Sequence, residues 1–345
     1  MQAEARDSKS GFLYTQSNER EHNRLLALGR AGDGTLTPLG AYETGGTGDG
    51  KPHLTSQGSV GLTGDGRHLL VTNASSGDMS IFAVGEDGPS LEQKVATGSA
   101  PKSSAEHEGL VYVLNTGDPS LTAFRLTGRE VEPLAGSTRE LAADTDPAQV
   151  GFTPDGGTVV VTERGTNAIA FYHVDAAGHL GDPLVQPSSG PTPYGFAFTN
   201  RGGLVVTEAF GAQMGKAAAS SYVISNDGVE PISQSVGNGR SEICWAKVTS
   251  DDRYAFTTNF ADGAVSRYST NPDGSIALDE AAAGLAVDGQ AGLRDEDLSA
   301  DSRFLYAIDT NSGSVFGWAV DEDGSLSPIG SWAGLPATVA GLAAS

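Results

Sequence analysis

Residues 241–268 read SEICWAKVTSDDRYAFTTNFADGAVSRY. The stretch holds a strand pattern, a polar Asp251-Asp252-Arg253 turn, a second strand over 254–258, an Asn/Asp/Gly turn and a third strand over 264–268. Apolar and polar residues alternate between turn-forming clusters, the mark of short strands. The same order recurs along the chain. Its first turn returns as Gly64-Asp65-Gly66, His107-Glu108-Gly109, Pro154-Asp155-Gly156, Asn200-Arg201-Gly202, Ser250-Asp251-Asp252 and Ala300-Asp301-Ser302, at intervals of 43 to 50 residues. Several copies close with an Asp-Gly turn and a fourth strand, as at Asp33-Gly34, Asp273-Gly274 and Asp323-Gly324. Four strands at this period predict a β-propeller blade.

Six copies are complete. The N-terminus begins at a second strand, over 11–15, and the C-terminus ends in Val339-Ala340-Gly341-Leu342, which resembles the first strands. The two halves predict a seventh blade, so the expected fold is an all-β, seven-bladed propeller closed by its C-terminal strand. That closure removes the open edges at which sheets aggregate. Residues 1–10 lack an apolar core and are expected to be a disordered segment ahead of a single domain over 11–345. The linker 43–57 and the insertion 211–219 are expected on the rims, where binding residues usually sit.

Composition narrows the function. A formal charge of −22 over 345 residues repels a phosphate backbone, so nucleic acid is not the expected partner. No apolar run approaches the roughly 18 residues that span a membrane. The lone Cys244 rules out an intrachain disulfide, and the expected compartment is the cytoplasm, with export behind a removed leader left open. His22, His53, His68, His107, His173 and His179 show no metal-ligand spacing. No cofactor is expected; calcium, which draws on scattered loop oxygens, is the one metal left open.

The repeats resemble the lactonase-family seven-bladed propellers, the group of 6-phosphogluconolactonase and carboxymuconate cyclase. The residues carrying the resemblance are Thr153-Pro154-Asp155-Gly156, Leu110-Val111-Tyr112-Val113-Leu114-Asn115, Val205-Val206-Thr207-Glu208-Ala209-Phe210-Gly211, Cys244-Trp245 and Phe304-Leu305-Tyr306. The resemblance implies lactone chemistry and places the family's catalytic positions. Its histidine falls on Ala148, beside Gln149, and its next arginine on Tyr194. A basic residue is retained as Lys247, a further arginine falls on Phe260, and the acid is retained as Glu208.

Comparison among the copies singles out more residues. In the inner-strand columns Glu296 replaces an apolar residue, and Lys247 and Asp297 replace small ones. Departures from a repeat's own pattern are where functional sites are expected. Lys247 and Asp297, in neighbouring blades, are expected to face each other near the axis, with Glu296, Asp295 and Arg294 nearby. The structural reading is an ion pair. The functional reading has Lys247 holding an anionic or carbonyl group, or acting as a Schiff-base nucleophile, with a carboxylate as general acid/base. The expected catalytic set is therefore Lys247, Glu208, Asp297 and Glu296. Trp245, Gln149, Tyr194, Gln57, Lys102 and Arg294 are the expected substrate-binding residues. Glu163 is placed like Glu208, in the neighbouring blade. The expected activity is a lactonase-like opening or closing of a cyclic ester at the channel mouth, by a monomer acting on a small molecule. The alternative is a non-catalytic propeller that binds a ligand or protein through its rim loops.

Overall fold

The computed structural model describes residues 11–345 apart from 86, 87, 226, 227 and 288; the segment 1–10 lies outside the described residues. Seven antiparallel sheets form a ring, each with a path of four strands from the axis outward. The third carries one further two-residue strand, Arg139–Glu140. The innermost strands, in ring order, are Ala340–Ala344, Val60–Leu62, Pro101–His107, Pro147–Phe152, Pro193–Phe198, Ile243–Val248 and Leu293–Leu298. Each touches the next, and the last touches the first. The fold is the seven-bladed propeller expected from the repeats.

Strand Ala340–Ala344 pairs antiparallel with Gly11–Gln16, so the C-terminus completes the first blade. Arg30 reinforces the junction, its Nη2 donating to the Ser345 carbonyl at 2.8 Å. Gly341 sits at φ +71, where a Cβ would be strained and would strike Ser59 Oγ of the next blade. The core lies between blades, as where Phe256, Leu298 and Trp318 pack together. The repeated turn has a local cause. In four blades a Thr or Ser hydroxyl donates to the Asp two residues on, from Thr63, Thr153, Thr249 and Ser299, at 2.6 or 2.7 Å. The Asp-Gly turns also tie blades together: the Tyr306 hydroxyl donates to the Gly34 carbonyl at 2.6 Å.

Two features shape the site. In blades three to seven the inner strand slips register just after its first residue, at Lys102, Ala148, Tyr194, Cys244 and Arg294. Such bulges re-aim side chains. Second, the linker after the first blade does not stay on the rim. The Ser56 hydroxyl donates to the Ala148 carbonyl, and Gln57 Nε2 reaches the Ala246 carbonyl at 3.4 Å. The His53 amide donates to the Val339 carbonyl at 3.2 Å. His53, Leu54, Ser56 and Gln57 are all buried, so this segment plugs the channel.

Removing residues 339–345 leaves the first blade with an open edge facing the channel. Calorimetry should show the thermal midpoint falling by on the order of 10 °C or more. An unchanged midpoint would show that ring closure contributes nothing to stability.

Candidate functional site

Lys247 and Asp297 meet, with Nζ 2.8 Å from Oδ1. The Asp297 carboxylate also accepts the Leu298 amide at 3.0 Å and, from the closing strand, the Ala344 amide at 2.9 Å. The pair thus ties blades six, seven and one together. Glu296 is 1% exposed, and among the described residues its carboxylate oxygens have no well-aligned hydrogen-bond partner, only a looser contact with the Thr258 backbone amide. Burial holds its carboxyl well above the usual range, and Lys247 only partly opposes this. Asp295, also buried, is pushed up to about 7 by burial, against the pull of Arg294 and of a backbone amide contact from Gly341 too poorly aligned to count as a full hydrogen bond.

Glu208 lies elsewhere. It pairs with Pro193 at the start of its inner strand, whereas Lys247 is near the end of Ile243–Val248. Four residues along a strand is about 13 Å, so the expected convergence of Lys247 and Glu208 is not met. The reason is register: the inner strand and its neighbour run antiparallel, so the end of one meets the start of the other. Glu208 is also fully occupied. It accepts the Gly190 amide at 2.8 Å and the Ser220 and Ser235 hydroxyls at 2.6 Å each. Glu163 is likewise buried and accepts the Thr166 hydroxyl at 2.6 Å.

The proposed binding residues separate into two groups. Gln149 is a staple between blades: its Nε2 donates to the Phe196 carbonyl at 3.0 Å and its Oε1 accepts the Phe196 amide at 2.8 Å. Gln149, expected among the binding residues, is thus engaged with the neighbouring blade. Gln57 belongs to the plug, with Oε1 unpartnered among the described residues. Trp245 is fully buried, packing at 4.7 Å from the Tyr194 ring and 5.9 Å from His53. Lys102 is part-buried with no ion pair within 4.0 Å among the described residues. Burial holds its ammonium below the usual range, with Arg164 and Lys51 adding to the effect and Asp49 and Asp146 opposing it.

Tyr194 and Arg294 do share a site. A cavity of about 340 Å³ opens on the rim where inner strands begin, lined by His53, Thr55, Thr192, Tyr194, Ala209, Gly211, Ala212, Glu242, Ile243, Cys244, Phe260 and Arg294. The linker supplies His53 and Thr55, and the insertion after the fifth blade's second strand supplies Gly211 and Ala212. Larger hollows, of about 610 and 630 Å³, lie on the opposite rim, but turn residues line them, including Asp65 in one and Asp251 and Asp301 in the other.

Arg294 lies over the Phe260 ring, Cζ 3.7 Å from its centroid, and Nε donates to Thr310 Oγ1 at 3.3 Å. Neither Arg294 nor Glu242 forms an ion pair within 4.0 Å among the described residues. His53 Nε2 is 3.3 Å from the Tyr194 hydroxyl, and Nδ1 is buried without a partner among the described residues. Burial, then Arg294, Arg164 and Lys102, hold its imidazole well below the usual range, so it is neutral at pH 7. Tyr194 also carries Arg164 on its ring face at 5.0 Å. Backbone strain gathers here. His53 (φ 44), Thr55 (φ 55), Ala212 (φ 62), Thr192 (φ 60) and Glu242 (φ 53) are non-glycine residues in the left-handed region. Thr192 and Glu242 share this with Ala100 and Asp146, one residue before each inner strand, so there it belongs to the repeat. At His53, Thr55 and Ala212 it is particular to this rim.

Sequence reasoning missed His53 and Glu242. His53 offered only its place in a linker assigned to the rim, and Glu242 only its place ahead of an inner strand. The family's pattern was the better signal, since two of its positions, Tyr194 and Phe260, line this cavity.

A family model described as lactonase, 7-bladed β-propeller matches residues 59–209. No curated protein matches the chain. Among solved structures, a functionally unknown protein from Desulfotomaculum acetoxidans superposes with a TM-score of 0.75 at 14% identity, over 97% of this chain and 98% of its own. A protein of Bacteroides uniformis, provisionally named a 6-phosphogluconolactonase, gives 0.73 at 16% over 95% and 98%. A periplasmic gluconolactonase of Pseudomonas aeruginosa gives 0.70 at 17% over 95% and 98%. At such identities the likeness is one of fold. No helix among the described residues is long and apolar enough to cross a membrane.

Lys247→Ala should leave Asp297 held only by backbone amides and lower the unfolding free energy by about 1–2 kcal/mol, read from the denaturant midpoint. Asp295 gives a second test. Its carboxyl is protonated in the fold but ionised in the unfolded chain above about pH 4. The folded state therefore binds the extra proton, and this contribution to stability falls as pH rises from about 4 to about 7. Thermal midpoints should show Asp295→Asn gaining on the parent across that window and levelling off above it. A constant difference would mean that the carboxyl is not perturbed.

Proposed function

We propose that this seven-bladed propeller of the lactonase type opens or closes a cyclic ester in the rim cavity at its channel mouth. The observation that carries the reading is the cavity's polar inventory. One guanidinium, Arg294, and one carboxylate, Glu242, line the same space without an ion-pair partner among the described residues. A half-buried cation with no ion-pair partner favours negative charge brought by a ligand or developed in a reaction.

In ring opening, Glu242 takes a proton from a water molecule as its oxygen adds to the ester carbonyl carbon. Negative charge builds on the carbonyl oxygen, where the Arg294 N–H groups stabilise it. Collapse breaks the bond between that carbon and the ring oxygen, and the proton on Glu242 passes to the departing alkoxide. The product is a hydroxy acid; the reverse sequence closes the ring with loss of water. Tyr194 and neutral His53 form the wall behind the substrate, and the plug shuts the cavity off from the far end of the channel. The substrate expected is a small carbonyl-containing molecule, handled by a monomer. The loss of the family's catalytic histidine and arginine at Ala148, Tyr194 and Phe260 favours the second reading, a propeller that binds such a ligand without turning it over.

A pH-stat assay with a panel of γ- and δ-lactones tests the proposal. Turnover should appear on at least one, and Glu242→Gln should lower kcat/KM by about a hundredfold or more. Absence of turnover on every lactone by the folded protein decides for the binding reading.

A further inference from the structure

The cavity also carries information about the kind of molecule it accepts. Its floor and walls are apolar: Tyr194, Ala209, Ala212, Ile243, Cys244 and Phe260. Cys244 behaves as part of that surface, because burial pushes its thiol up to about 12 and leaves it un-ionised. The hydroxyls near the opening are partly engaged. Thr55 Oγ1 donates to the Leu54 carbonyl at 2.6 Å, and Thr192 Oγ1 accepts the Gly211 amide at 3.0 Å. His53 keeps Nε2 against the Tyr194 hydroxyl, with Nδ1 buried away from solvent. What remains for a ligand is Arg294 at one point, Glu242 at another and the Thr192 hydroxyl as a single donor.

A sugar lactone brings a hydroxyl on nearly every carbon. Each one moved from water into this cavity without a partner would cost free energy, and donors and acceptors gathered at a few points of an otherwise apolar wall do not reach hydroxyls spread around a ring. Apolar carbon, by contrast, gains from burial against Phe260, Ile243 and Tyr194. The volume, about 340 Å³, is that of a site for a small ligand.

We infer that the rim cavity takes an alkyl- or aryl-substituted lactone, whose one strongly polar group meets Arg294, in preference to a polyhydroxylated sugar lactone. This inference rests on the lactone-opening reading for its reaction, but not for its choice of molecule. Binding can therefore be tested apart from turnover, with two ring-opened acids that share a carboxylate and differ in the remainder. Melilotate, from dihydrocoumarin, is aromatic; gluconate, from glucono-δ-lactone, is polyhydroxylated.

Calorimetric titration of the full chain should show melilotate binding at least about tenfold more tightly than gluconate. Arg294→Gln should weaken both acids, and Arg294→Lys, which keeps the charge, should retain part of the affinity. Phe260→Leu, which also removes the ring that Arg294 lies over, should cost melilotate more affinity than gluconate and so erode the preference. If melilotate is preferred but dihydrocoumarin is not opened, the substrate class stands and the catalytic reading falls. If gluconate binds as tightly as melilotate or more so, or if neither acid binds, the inference is overturned, whatever lactones are hydrolysed.

Discussion

The structure depends on pairing one strand across the whole length of the chain. Ala340–Ala344 lies against Gly11–Gln16, and without it the first blade would end in a bare edge at the axis. Closure brings seven inner strands into one ring with a common direction. All the starts of those strands then share a rim, and all the ends share the other. The consequence for chemistry is direct. Residues that stand at similar points of successive repeats become neighbours, as Tyr194, Cys244 and Arg294 do at one cavity. Residues at opposite ends of an inner strand cannot meet, and this separates Glu208 from Lys247.

The ring leaves an axial channel, and the protein fills its own. The linker from the first blade to the second enters from the rim and is fixed by bonds to blades three, four and six, including Ser103 Oγ to the Gln57 carbonyl at 2.5 Å. The plug makes one side of the rim cavity and carries two strained residues, His53 and Thr55. Strain of this kind persists only where the surroundings over-determine it. The anchoring bonds on both sides of His53 and Thr55 are that surrounding.

Charge is unevenly spent. A chain with a formal charge of −22 keeps cations, Arg294 and Lys102, near its channel mouth without a carboxylate partner within 4.0 Å among the described residues. At the far end it does the opposite, burying Glu296 beside an ion pair already complete. The first arrangement suits a ligand that brings or develops negative charge. The second favours the protonated acid, which makes stability there a function of pH.

Much of the architecture was legible in the residues themselves. The Thr/Ser-x-Asp turns, the alternating strands and the Asp-Gly turns are local, and their period alone called for blades; a first strand missing at one end and supplied at the other called for closure. Comparison of columns also found Lys247 and Asp297, since charge on a small, inward position needs a partner nearby. The site was less legible, for a physical reason. Arg294 was among the expected binding residues, but His53 lies in a linker outside the repeat, and Glu242 occupies a repeat position that carries no charge pattern to single it out. The slip of register that aims Arg294 at the cavity and the path of the plug into the channel are set by packing among all seven blades. Sequence determined the repeat and its closure; only the closed ring decided which residues share a cavity, because that depends on which rim each strand end reaches.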